Sequence, residues 1–207
     1  MSQMAKVDMR ERIIEAALST IESDGQEALS MRSLGSLVGV TATTVYWHVG
    51  SREDVVRAAV SRFAERIGAT RVTGRNSHER VLSILRQVRS LSVDNLNIAR
   101  AALDLGMQAK LQMPSQTALA HELTASGLRG QHLADVMRGL LYAAGGFVVV
   151  TTRQRMGAIG SEYEWSHIHD VSIDDEALTA LSRPVEPDRH FEEMMMAFIR
   201  AVVPFTE

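Results

Sequence analysis

The chain has 207 residues, 45% of them hydrophobic, which is enough for a buried core in one domain or in a small domain beside a larger one. Its formal net charge of −3 is not that of a bulk nucleic-acid binder, so any DNA contact has to come from a local patch. It has no cysteine, which excludes disulfides, thiolate metal sites and cysteine nucleophiles.

Residues 1–8 read as a polar lead-in without an apolar stretch of signal-peptide length, and the expectation is a cytoplasmic protein. From Arg10 to Ser23, Ile13, Ile14, Ala17, Leu18 and Ile21 fall on one 3.6-residue stripe, and Asp24-Gly25 stops it. Met31, Leu34, Leu37 and Val38 make the stripe of a second, short helix. Gly39 supplies the left-handed residue that ends it. Thr41 can cap the next helix by accepting from a first-turn N–H. In that helix Ala42, Val45 and Val49 face inward, leaving Thr43, Thr44, Tyr46, Trp47 and His48 on the outer face. A face that only had to be solvated would carry Glu, Lys or Gln. These side chains instead form hydrogen bonds or methyl contacts, which suits base edges and phosphates. No acid occurs between Glu27 and Glu53, and Arg32 and Arg52 bracket the unit. One of Tyr46 and Trp47 reads equally well as a core aromatic, but that leaves Thr43, Thr44 and His48 unexplained.

Ser51-Arg52-Glu53-Asp54 has the form of a capping box. It opens a fourth helix with Val55, Val56, Ala59, Val60, Phe63 and Ile67 apolar. Residues 68–77 break the periodicity with glycine, threonine and serine. Helical patterns resume from His78 (Val81, Leu82, Leu85, Val88, Leu91), over Asn95–Leu105, and from Pro114-Ser115 (Leu119, Leu123, Leu128). The longest helix runs from Gln131 to Arg155. It carries a row of small residues, Gly139, Ala143 and Gly146, that admits a second helix at close range. Its longest apolar run, Leu140 to Val150, is too short to span a bilayer, so no membrane is expected as a partner. Residues 156–187 are polar and irregular around a short helix at Asp174–Leu181. The last helix, Asp188–Val203, is apolar on nearly every side and should be buried on two of them.

Smaller signals lie outside this pattern. His167 and His169 form a His-x-His pair beside Asp170, open to a metal reading or to a plain surface reading. Glu164 and His167 have the spacing of half a di-iron helix motif, but the second pair is missing. No Ser/His/Asp spacing or glycine-rich phosphate loop occurs, so no catalytic residue, metal or cofactor is assigned. The eleven methionines serve as adaptable core filler or as the wall of a small-molecule pocket.

The stretch from Ser30 to Arg52 resembles the DNA-binding domain of the TetR family of one-component repressors. The run Thr44-Val45-Tyr46-Trp47-His48-Val49, followed by Gly50-Ser51-Arg52, is similar to the recognition helix of its tetracycline-repressor branch. The resemblance is close over residues 10–66 and holds beyond them only in pattern. It implies an all-α fold with an N-terminal three-helix helix-turn-helix DNA-binding domain, 1–50, and a larger helical effector-binding and dimerisation domain, 51–207. It implies base contacts from Arg32 and Thr44 and phosphate positioning by Ser30, Tyr46 and Arg52, with Thr41, Thr43, Trp47 and His48 completing the face. Two C-terminal helices per subunit would build a homodimer bundle through Gly139, Ala143, Gly146, Phe191, Met195, Phe198, Ile199 and Val202. Repression of a palindromic operator would end when an effector binds.

Two departures from the tetracycline branch shape the expectation. Ala42 stands where some of those repressors have a long polar reader, so the operator should differ. Gly68 stands where they have a drug-contacting histidine, so the effector should be small and apolar, not a metal–tetracycline complex. Its wall would comprise Leu103, Met107, Met137, Leu141 and Phe147, with His121 and Tyr142 as orienting groups; each reads equally as plain core. The competing classes are a helical enzyme or small-molecule carrier with a vestigial head, and a structural dimer that has lost DNA binding. Arg32, Thr44, Tyr46 and Arg52 occurring together argue against the second.

Overall fold

The computed structural model describes residues 3–156, 174–181, 183 and 185–207. Glu164, His167, His169 and Asp170 lie outside them. In chain order the helices are α1 (Gln3–Asp24), a 3-10 turn (Gln26–Ala28), α2 (Met31–Val38), α3 (Ala42–Val49), α4 (Arg52–Ile67), α5 (Ser77–Asp94), α6 (Leu96–Asp104), α7 (Gln108–Ala125), α8 (Gly130–Arg155), α9 (Asp175–Leu181) and α10 (Pro187–Val202). No strand occurs among the described residues, and the fold is all-α. Two expected helix starts move. α1 begins at Gln3, because nothing in the lead-in breaks a helix. α7 begins at Gln108 and runs through Pro114, which costs it one N–H bond without ending it.

The contacts divide the chain into residues 1–70 with 94–117, and 71–93 with 118–207. The first unit therefore keeps α4, and the chain first leaves it after residue 70, not after residue 50. The reason is packing. Val55, Val56, Ala59 and Val60 of α4 are buried together with Ile13, Ile14, Ala17, Leu18 and Ile21 of α1. Arg62 pairs with Glu11 and, at 3.0 Å, with Glu15, while Arg66 reaches Glu15 at 2.9 Å and Glu22 at 3.3 Å. Each such exposed pair is weak alone, but four along one seam fix how α4 lies on α1. α6 joins this unit by burying Ile98, Ala101 and Ala102. Asn97 Nδ2 donates to Glu22 O (3.1 Å), and Gln26 Nε2 donates to Asp104 (2.6 Å).

The second unit builds its core from α5, the C-terminal part of α7, α8 and α10, around Leu85, Leu119, Leu123, Leu140, Phe191 and Ile199. Arg80 and Glu122 pair at 2.8 Å beside it. The chain end is tied in by Ser77, whose N–H donates to Thr206 O (2.8 Å) and whose Oγ donates to Pro204 O (2.9 Å). α8 is apolar well beyond Leu140–Val150. By length and composition it could cross a membrane, and only 17% of its apolar window is buried. α10 turns Phe191, Met195 and Ile199 into the core, but Met194, Ala197 and Ala201 stay exposed. Within one chain it is buried on a single side.

Candidate nucleic-acid interface

Local chemistry sets each end of the α2–α3 unit. Ser30 caps α2 by accepting from Ser33 N (3.0 Å), and Ser33 Oγ accepts from Ser30 N (3.1 Å), a reciprocal box. Gly39 takes the left-handed conformation, φ 79°, ψ 33°. Gly35, which sequence reading passed over, matters as much. A Cβ there would stand 2.7 Å from Val40 O, and Val40 N donates to Gly35 O at 2.8 Å. Only glycine lets this turn close so tightly; a glycine inside a helical pattern was the available signal. Thr41 caps α3, accepting from Thr44 N at 3.2 Å, and the two threonine hydroxyls lie 2.9 Å apart. Arg12 Nη2 donates to Val38 O (3.3 Å) and braces the end of α2 from α1.

This framework holds Arg32, Thr41, Thr43, Tyr46 and Trp47 exposed, with the two rings 54% and 59% open. Neither aromatic is a core residue. Arg32 makes no ion pair among the described residues. Thr44 is half-buried beside its cap.

His48 has to be corrected. It is buried, at 7% exposure, and its Nδ1 has no hydrogen-bond partner. Its ring stands edge-on to Trp47 at 4.9 Å. Val45, His48 and Val49 share the inward face at i, i+3, i+4, so polarity misled the sequence reading. Leu37 errs the other way: it sits in the expected apolar stripe of α2 yet is 65% exposed. Arg52 turns back on the head, where Nε donates to Leu29 O at 2.9 Å and Nη2 donates to Gln26 O. It is a brace between the 3-10 turn and the start of α4, a role the expected phosphate contact did not include. Beside it Asp54 accepts from Ser51 N (2.8 Å) and Ser51 Oγ (2.7 Å). Those two bonds hold its carboxyl below the usual carboxylate range.

The residues expected to bind an effector are not brought together. Leu103, 59% exposed, and Met107 belong to the first unit. In the second, Tyr142 is 76% exposed, His121 is exposed, and Met137 and Leu141 pack against the core. Only Phe147 lines a cavity, one of about 390 Å³ bounded by α8 and by the chain from Leu181 to His190. The expected dimer residues also scatter. Phe191, Met195 and Ile199 are buried in their own chain's core and have no surface to offer a second copy. Gly139 faces Phe198, with an added Cβ 3.4 Å from Cζ, and Ala143 and Gly146 line the cavity. Phe198 and Val202 pack partly buried on the core. The small-residue row serves α10 of the same chain, because an α10 apolar all round gives no sequence phase to show which side turns inward.

Residues 13–59, from α1 into α4, match the family model for bacterial regulatory proteins of the tetR family. The chain is 25% identical over 158 residues to an HTH-type transcriptional regulator of Saccharopolyspora erythraea, covering 76% of this chain and 62% of that protein. It is 32% identical over 99 residues to the HTH-type transcriptional repressor KstR of Rhodococcus jostii, covering 46% and 47%. It thus spans about half to three fifths of these relatives' lengths. Among solved structures, the TetR family protein ActR of Streptomyces coelicolor in complex with actinorhodin is similar at a TM-score of 0.64 and 21% identity, over 93% of this chain and 95% of that one. A TetR transcriptional regulator of the same organism is similar at 0.68 and 14%, over 98% and 97%. At these identities the likeness is one of fold.

Proposed function

The chain belongs, through residues 13–59, to the tetR family of bacterial regulatory proteins, and we propose that it is a ligand-responsive transcriptional repressor working in the cytoplasm as a homodimer on a palindromic operator. The observation that carries this reading is the outer face of α3. Thr43, Tyr46 and Trp47 are exposed together on a helix locked by caps at Thr41 and Ser51, with no acid between Glu27 and Glu53 to repel phosphate. Arg32 and Thr44 read base edges, while Ser30, Tyr46 and Trp47 set the register on the backbone. The open apolar faces of α8 and α10 meet their counterparts in a second copy, which sets two recognition helices on successive major grooves, about 34–36 Å apart. A small, largely apolar effector favours the state that releases DNA. A coupling of about 1–3 kcal/mol would change operator affinity roughly 5–150-fold.

Mobility shift against DNA flanking the gene tests this. The wild type should retard one fragment specifically, and Arg32→Ala and Thr44→Ala should each flatten its preference over random DNA by about 1–3 kcal/mol. Unchanged binding by both variants would overturn the assignment. A vestigial head on a carrier or enzyme would retard nothing specifically.

A further inference from the structure

We propose that the cavity between α8 and the chain leading into α10 is the effector site, and that it takes a flat aromatic molecule bearing an anionic group. Its volume, about 390 Å³, lies in the range of ordinary small-molecule pockets. One wall is aromatic: the Phe147 ring stands edge-to-face with His190 at 5.7 Å and with Phe191 at 5.4 Å. Val150, Val185 and Pro187 extend the apolar lining. The ionisable groups among the lining residues are Arg183 and His190, and no carboxylate is among them.

The acids nearest in sequence are already engaged. Asp188 pairs with Arg89 at 2.7 Å, and Glu186 caps α10 through Asp188 N and Arg189 N. Behind the wall, Arg89 is 9% exposed, lies 5.1 Å over the Phe191 ring and donates to Thr151, a lining residue, at 3.4 Å. Its Nε has no partner. An apolar cleft whose charged lining is of one sign concentrates the opposite sign. A neutral hydrocarbon would leave the Arg183 guanidinium without a partner, and a cation would be repelled.

Whether the occupant acts as an effector rests on the regulator reading above, so binding is measured first without DNA. The probes are 1-anilinonaphthalene-8-sulfonate and N-phenyl-1-naphthylamine, which share an aromatic frame and differ by the sulfonate. On the full-length protein the anion should bind one per chain, about tenfold or more tighter than the neutral probe, the scale of one charge-assisted hydrogen bond. Arg183→Gln should erase that difference and leave the neutral probe unchanged. Val185→Trp, on the exposed wall, should block both; it replaces no core residue, and its melting curve shows that the variant folds.

Equal affinities for the two probes, or indifference to both variants, would overturn the proposal. So would a signal that fades as protein concentration rises, because a second copy then covers this face. Anion binding as expected that leaves a preformed operator complex intact would overturn the effector role but keep the site. A wild type that binds no operator would instead overturn the regulator reading, while the probe results still judge the cavity.

Discussion

Both units of the molecule leave large side chains in water, in different company. On α3, Tyr46 and Trp47 are more than half exposed, with Thr41 and Thr43 between and beside them. On α8 and α10, Tyr142, Val149 and Met194 are exposed among glycine, alanine and valine. Exposed apolar area of either kind marks a contact surface. Interleaved hydroxyls and the absence of acids suit a polyanion read by hydrogen bonds, whereas small residues and aliphatics suit another helix. On this comparison the first face is for DNA and the second for a second copy.

The largest expected effect breaks the second face. Tyr142→Glu combined with Val149→Asp puts two charges on the open side of α8. The variant should sediment as a monomer at micromolar concentration and lose operator affinity by roughly a hundredfold or more, because one half-site no longer holds the other in place. A variant that stays dimeric would place the interface elsewhere.

The first face is sharpened by Arg52. Its guanidinium braces the Leu29 and Gln26 carbonyls, so Arg52→Ala should weaken binding to every sequence alike without changing the salt slope. A phosphate contact would instead lower that slope by about 0.9. His48 divides the inner from the outer side of α3. His48→Leu should leave operator affinity within about twofold. It should keep or raise thermal stability, since an unsatisfied buried nitrogen of the kind that costs about 1–3 kcal/mol is replaced by a similar apolar volume. A large loss of affinity would return His48 to the DNA face.

What could be read from sequence was local. The Ile13 to Ile21 stripe, Thr41 and the Ser51–Asp54 box are all decided within one or two helical turns. Each holds in the structure, as does Gly39 at the end of α2. The misreadings concern which side of a helix its neighbours cover. An eight-residue α3 gives too few turns to phase His48, and the exposure of Leu37 depends on what packs over α2. Phe191, Met195 and Ile199 belong to a helix so apolar that its inward side is set only by α8, so the expected interface residues became core. The effector wall failed for the same reason: Leu103 and Tyr142 sit at stripe positions that no other helix covers.

The smallest expected effect lies in the cap of α4. Asp54 has a folded-state pKa held below its ordinary value by Ser51. Its contribution is therefore present in full above the ordinary carboxylate range and is lost as pH falls through the lowered folded value. Asp54→Asn should remove that part of the acid dependence, so melting temperatures of variant and wild type should converge between pH 7 and pH 3. A constant gap would mean the carboxylate charge plays no part in the cap.

The central claim is that two copies of the α3 face read one symmetric operator. DNase I footprinting of the retarded fragment tests it most directly, with wild type and a Tyr46→Ala, Thr43→Ala double variant side by side. The account predicts one protected palindrome, its half-sites one helical turn or a multiple of it apart, about 34–36 Å per turn, with protection lost in the variant. An asymmetric footprint, or the same footprint from the variant, would contradict it.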